Sequence, residues 1–213
     1  ISPALHPMGP FLAAAISAVV LLMWCLRSPE DIEAAARRAM ALLLTTGYVG
    51  TLAACLTAIA MTADPGTPCH QVSPVGPFAF GPASLLTLMA IVFAGDTGAY
   101  FAGRTLGRHK LYPLVSPKKT IEGSVGGLLG SIGMGALCAW LLVPQIPTTD
   151  AMILGAGCGL VAQIGDLAES MFKRASGTKD SGALLPGHGG MLDRLDGVLF
   201  AAPVFMAWLV AQA

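Results

Sequence analysis

Charge is what this sequence has least of. Only 11% of its 213 residues are charged, against 54% that are hydrophobic, where a soluble domain carries about 25% charged residues. A chain so short of polar side chains cannot cover a water-facing surface. That excludes an ordinary soluble domain and points to an integral membrane protein. Clustered cysteine is missing too. Cys25, Cys55, Cys69, Cys138 and Cys158 are odd in number and form no CxxC pair, which argues against both a disulfide framework and a zinc site. Four of them lie in apolar runs and read as small packing residues. Neither a GxxxxGK[ST] phosphate loop nor a GxSxG nucleophile elbow occurs. No basic region precedes the first apolar run, so the start does not read as a signal peptide. The first residue is Ile rather than Met. The expectation is therefore a processed form or a piece of a longer chain, with further N-terminal segments missing.

What the sequence does have is long apolar runs. A bilayer span needs about 20 mostly apolar residues, and six stretches qualify: roughly 9–26, 39–62, 83–102, 123–143, 151–172 and 197–213. The expected architecture is an all-α, polytopic transmembrane helical bundle, one integral membrane domain over 1–213. In the fourth span Gly127, Ser131, Gly135 and Ala139 recur every four residues. That makes a face for close helix packing, within the chain or against a second copy in a homodimer.

The twelve Lys and Arg divide unevenly among the connecting loops. Arg27, Arg37 and Arg38 lie in the first. Arg104, Arg108, Lys110, Lys118 and Lys119 lie in the third, and Lys173, Arg174, Lys179 and Arg194 in the fifth. The second (63–82) and fourth (144–150) have none. The positive-inside rule then puts loops one, three and five in the cytoplasm. Loop two, rich in Pro and Gly, reads as an irregular outer connector. In loop one, Ser28 with Asp31 three residues on suggests a capped amphipathic helix at the cytoplasmic surface.

Ionisable groups inside a span are costly and mark function by default. Asp166, Glu169, Ser170 and Lys173 share one helix face in span five, with Gln163 one turn earlier. In span three, Asp96, Tyr100 and Arg104 also fall on one side. Both faces run toward the cytoplasm, which predicts a shared polar cavity there. Structural pairing, such as Glu169 with Lys173, is the competing reading.

Loop three carries Ser116, Lys118, Lys119, Thr120 and Glu122 in "SPKKTIEG". Its ammonium and hydroxyl donors suit phosphate, although a loop that merely holds lipid headgroups would look the same. Loop five shifts the balance toward phosphate. Lys173, Arg174 and Lys179 precede Pro186-Gly187-His188-Gly189-Gly190, whose glycines let backbone N–H groups approach an anion. Asp193 and Asp196 follow, three apart. Two carboxylates beside a basic, glycine-rich loop are what Mg²⁺ with a polyphosphate needs, and phosphoryl-type transfer needs no protein nucleophile. His188 has no partner ligands for zinc and reads as a hydrogen-bonding or phosphate-contacting group.

Ser170-x-x-Lys173-Arg174, Lys179-Asp180 and Pro186-x-His188-Gly189-Gly190-x-x-Asp193-Arg194-x-Asp196 together resemble the signature of the phosphatidate cytidylyltransferases, or CDP-diacylglycerol synthases. "GDTGAYFAGRTLGRHKL", "SPKKTIEG" and "GDLAES" are similar to that family as well. The likeness runs from about residue 90 to the C-terminus, which would make 90–213 the catalytic part with its signature at 170–196.

The resemblance implies a magnesium-dependent nucleotidyltransferase of phospholipid biosynthesis. It would join CTP to phosphatidic acid, giving CDP-diacylglycerol and pyrophosphate, in the bacterial cytoplasmic (inner) membrane with its site facing the cytoplasm. Asp193 and Asp196 would hold metal, with Asp166 and Asp96 as further carboxylates. Lys173, Arg174, Lys179 and Arg194 would neutralise phosphates, with Asp180 and His188 in the same catalytic loop. Ser116, Lys118, Lys119, Thr120 and Glu122 would bind substrate, together with Gly189, Gly190, Tyr100 and Arg104. Glu169 would pair with a lysine or orient metal-bound water. A second, monovalent cation stays open. The expected partners are CTP, phosphatidic acid and membrane lipids, with no nucleic acid. Two rivals remain: a cytidylyltransferase for another lipid phosphate (polyprenyl or archaeal ether lipid), and an ion-coupled transporter resting on Asp96, Asp166 and Glu169.

Overall fold

The computed structural model describes residues 20, 47, 49–50, 52–62, 79–175 and 192–212. A helical stretch over 52–60 is followed by helix α1 (Phe80–Leu106), strands β1 (Lys110–Tyr112) and β2 (Ser116–Thr120), and helices α2 (Ile121–Leu141), α3 (Thr148–Ala175) and α4 (Leu192–Gln212). The protein is mostly helical, as expected. Among the described residues, three helices are long and apolar enough to cross a membrane: α1, α2 and α3 to Arg174. Helix α4 holds a shorter apolar stretch, Leu195–Ala211. Of the second expected span the described residues show 52–60 as helix; the first span, apart from Val20, and the loop-one helix lie outside them.

Helices α1 and α3 run past the expected apolar spans 83–102 and 151–172 at both ends, because their polar flanks are helical too. Helix α1 carries Pro82 in its first turn, where the missing N–H costs nothing. It then runs on to Leu106 with Arg104 in its last turn. Helix α2 starts at Thr120, whose hydroxyl accepts from the Gly123 N–H at 3.1 Å. Helix α3 opens with Asp150 and closes with Lys173 and Arg174, each charge set favourably against the helix dipole.

The third loop is not irregular. It is an antiparallel hairpin pairing Lys110 with Thr120 and Tyr112 with Ser116. Such short strands, rich in Lys and interrupted by Pro117, show no apolar alternation for sequence reasoning to catch.

Neighbouring helices pack in chain order, with α1 also touching α3 and α4. Leu88, Ile91, Cys158, Val198 and Phe205, all but fully buried, centre the core, which also takes in Ile59 of the 52–60 stretch. Cys55, Cys138 and Cys158 are buried free thiols. The small-residue stripe of α2 is covered from within the chain: Gly127, Ser131, Gly135 and Ala139 are all buried, and the Ser131 hydroxyl donates to the Ile91 carbonyl at 3.1 Å. Outer faces expose Phe93, Phe101, Leu129, Trp140 and Ile153, as lipid-facing surfaces do.

Glycine on both sides lets the α1 and α2 backbones nearly touch. A Cβ on Gly98 would sit 2.6 Å from the Gly126 carbonyl oxygen, whereas one on Gly133 would meet nothing within 4 Å. Gly98→Ala should therefore cost about 1–3 kcal/mol through overpacking, read as a fall of several degrees in melting temperature in detergent. Gly133→Ala should melt with the wild type or slightly above it. Equal melting of the two variants would contradict the close approach.

Candidate active site

The hairpin does not stand away from the bundle. The Ile121 N–H donates to the His109 carbonyl at 2.9 Å. The Glu122 carboxylate accepts from the backbone N–H groups of Arg108 (3.1 Å) and His109 (3.3 Å), and meets His109 Nδ1 at 2.6 Å. Glu122, expected at the substrate, is thus engaged in pinning the base of the hairpin. Thr120, expected there too, caps α2 while still lining the cavity beside it.

That cavity has a volume of about 510 Å³. Asp96, Tyr100 and Arg104 form its α1 wall, Leu111, Lys118 and Lys119 come from the hairpin, and Gln163 and Asp166 come from α3. Two helices and the hairpin therefore converge on one space, as their polar faces suggested. Arg104 donates to the Tyr100 hydroxyl at 2.7 Å, its guanidinium 6.0 Å from the ring centre. Asp96 lies within electrostatic range of Asp166, Asp196 and Lys119.

Lys119 Nζ meets Asp166 Oδ2 at 2.5 Å, joining the hairpin to α3. From Asp166 the polar surface continues into a group of three carboxylates. Asp166, Glu169 and Asp196 each place one oxygen within 4.8 Å of the others. Glu169 is buried, and Asp196 lies at the edge of burial. Lys173 Nζ sits 3.3 Å from Glu169. Packing three carboxylates this closely is unfavourable unless cations offset them. Lys119 and Lys173 do so in part. An all-oxygen, all-carboxylate donor set suits a hard divalent cation and offers a soft metal nothing.

Sequence reasoning places Asp166 and Asp196 at metal but leaves Glu169 out of the ligand set. Spacing alone reveals that Asp166 and Glu169 share a face, not that α4 brings Asp196 against them. It also passes over Ser124, which donates to Gln163 Oε1 while Gln163 Nε2 donates to the Ser124 carbonyl at 3.1 Å. This pair ties α2 to α3 one turn before Asp166. Ser116 is half-buried in β2 and Arg174 is exposed at the end of α3. Lys179, Asp180, His188, Gly189 and Gly190, with the side chains of Asp193 and Arg194, lie outside the described residues.

Hairpin cations, a cavity and a carboxylate group at one end of an apolar bundle suit a membrane enzyme handling phosphates. The chain belongs to the Cytidylyltransferase family, whose match spans residues 4–211. Similar proteins named phosphatidate cytidylyltransferase include those of Synechocystis sp. (47% identical over 128 residues), Staphylococcus saprophyticus (43% over 126) and Brucella suis (48% over 123). The matches cover 59%, 59% and 58% of this chain, and 43%, 48% and 45% of those relatives. The chain thus spans about half the length of the curated relatives it matches.

Proposed function

We propose that the chain carries the nucleotidyl-transfer site of a phosphatidate cytidylyltransferase. The observation that supports this best is the Lys119–Asp166 contact, which makes the phosphate-suited hairpin and the carboxylate group parts of one polar surface. In the reaction a phosphate oxygen of phosphatidic acid attacks the α-phosphorus of CTP. The bond to the β-phosphate bridging oxygen breaks, and pyrophosphate leaves with that electron pair. Asp166, Glu169 and Asp196 would hold Mg²⁺, with Asp193 and Asp96 as further carboxylates. A divalent cation there supplies charge neutralisation and Lewis acidity at the phosphates.

Lys118 and Lys119 hold phosphate oxygens. Lys173 neutralises Glu169 and with Arg174, Lys179 and Arg194 surrounds the leaving pyrophosphate. Gly189 and Gly190 admit it to the backbone, and Asp180 and His188 complete that loop. Tyr100 and Arg104 close the cavity wall, and Ser116 offers a hydroxyl from β2. The lipid's acyl chains remain in the bilayer.

About six spans in a bacterial inner membrane, one domain over 1–213 with its catalytic part at 90–213, and a cytoplasm-facing cavity complete the reading. A homodimer would have to use surfaces other than the α2 stripe, which is already covered. Sidedness has a direct check. A cysteine at Arg108 should react with an impermeant maleimide only from the cytoplasm, and one at Thr149 only from outside, both positions being exposed. The reverse pattern would put the site where no CTP is found. Substrate choice is checked with CTP and a panel of phosphatidic acid, polyprenyl phosphate and an archaeal ether-lipid phosphate. Turnover should be fastest with phosphatidic acid, and preference for either other lipid would overturn that assignment.

A further inference from the structure

The hairpin has a second face. Leu111 lines the cavity, so strand alternation turns Lys110 and Tyr112 the other way, and both are exposed. The turn beyond them carries Leu114, which is 87% exposed. One exposed leucine needs no explanation in a soluble protein. Here the setting differs. The hairpin begins and ends within a few residues of two helices long and apolar enough to cross a bilayer.

At its base Leu106 and Ile121 are exposed as well, continuing the exposed faces of Phe101 and Val125. The contact of Lys119 with Asp166, two turns inside the end of α3, ties the cavity side of the hairpin to the bundle. On the other side Arg108 and Lys110, both exposed, add positive charge beside the exposed apolar residues.

We propose that Tyr112 and Leu114 dip into the interfacial layer of an anionic bilayer, with Lys110 and Arg108 at its headgroups, so that the hairpin is a membrane anchor on one face and a site wall on the other. An aromatic ring, an aliphatic tip and flanking cations are the composition that partitions there, and each nearby Lys or Arg strengthens attraction to anionic lipid. This rests on α1 and α2 crossing the membrane, not on the reaction assigned to the cavity.

The test is Leu114→Trp, a change at an exposed tip that the fold should accept. The protein is reconstituted in nanodiscs of phosphatidylglycerol or of phosphatidylcholine, with or without bromine on the acyl chains near the glycerol. Emission of the unsubstituted protein, from its own three Trp, is subtracted. In phosphatidylglycerol the added emission should fall by more than about half on bromination and resist aqueous iodide, as expected of an interfacial side chain. Quenching in phosphatidylcholine should be weaker. An added Trp quenched by iodide and untouched by bromolipid would overturn the anchor. Equal quenching in both lipids would overturn its assignment to an anionic surface.

Discussion

Asp196→Asn is expected to cut turnover on the order of 10²–10⁴-fold, the equivalent of several kcal/mol of charge stabilisation at the reacting phosphates, while leaving the protein folded. Asn keeps the size of the side chain and removes one charge from three carboxylate groups whose oxygens lie within 4.8 Å of one another. The sign for stability is the opposite of that for activity. Without divalent ions the three groups repel, so removing one charge should raise the melting temperature in detergent by a few degrees. Adding MgCl₂ should then stabilise the wild type and leave the variant almost unmoved, because the ligand set that gains from binding is incomplete. A variant with near-normal turnover would remove Asp196 from the metal assignment. A variant that melts lower without divalent ions would mean that the carboxylates are held together by something other than a cation's place.

Lys119→Gln carries the next largest effect. A charge-assisted contact to phosphate is worth about 1.5–3 kcal/mol, so kcat/KM should fall roughly ten- to a hundredfold. Geometry separates this residue from its neighbour. Lys119 is half-buried and reaches Asp166 at 2.5 Å, whereas Lys118 is exposed on the same strand. Losing Lys119 would remove the proposed phosphate contact together with the tie between hairpin and α3, so kcat should fall and KM rise. Lys118→Gln should mainly raise the KM of one substrate, since a contact made equally in ground and transition states leaves kcat alone. If both variants change kcat/KM by less than about twofold, the hairpin cations serve only topology and headgroup attraction.

What the sequence reveals and what it hides divides along physical lines. The stripe Gly127, Ser131, Gly135, Ala139 is legible because every fourth small residue marks a close helix contact whatever its partner is. Asp96 and Asp166 are legible because a charge inside an apolar run is too costly to be incidental. The hairpin is hidden because its strands are held by backbone pairing and by Glu122, not by an apolar pattern. Glu122 looks like one more polar residue in a phosphate-suited loop until Arg108 and His109 are seen to occupy it. Glu169 escapes as a member of the carboxylate group because its neighbour Asp196 comes from a different helix, and tertiary proximity between α3 and α4 is not written in either segment. Likewise the Ser124–Gln163 bridge joins residues 39 apart, a distance no local periodicity can span.

Pyrophosphate release from CTP by the purified protein, in detergent micelles with Mg²⁺, tests the central claim most directly. With phosphatidic acid present, each CTP consumed should yield one pyrophosphate and one CDP-diacylglycerol, and Asp196→Asn should suppress both together. Pyrophosphate release that ignores phosphatidic acid, or none at all from protein shown to be folded by its melting transition, would contradict it.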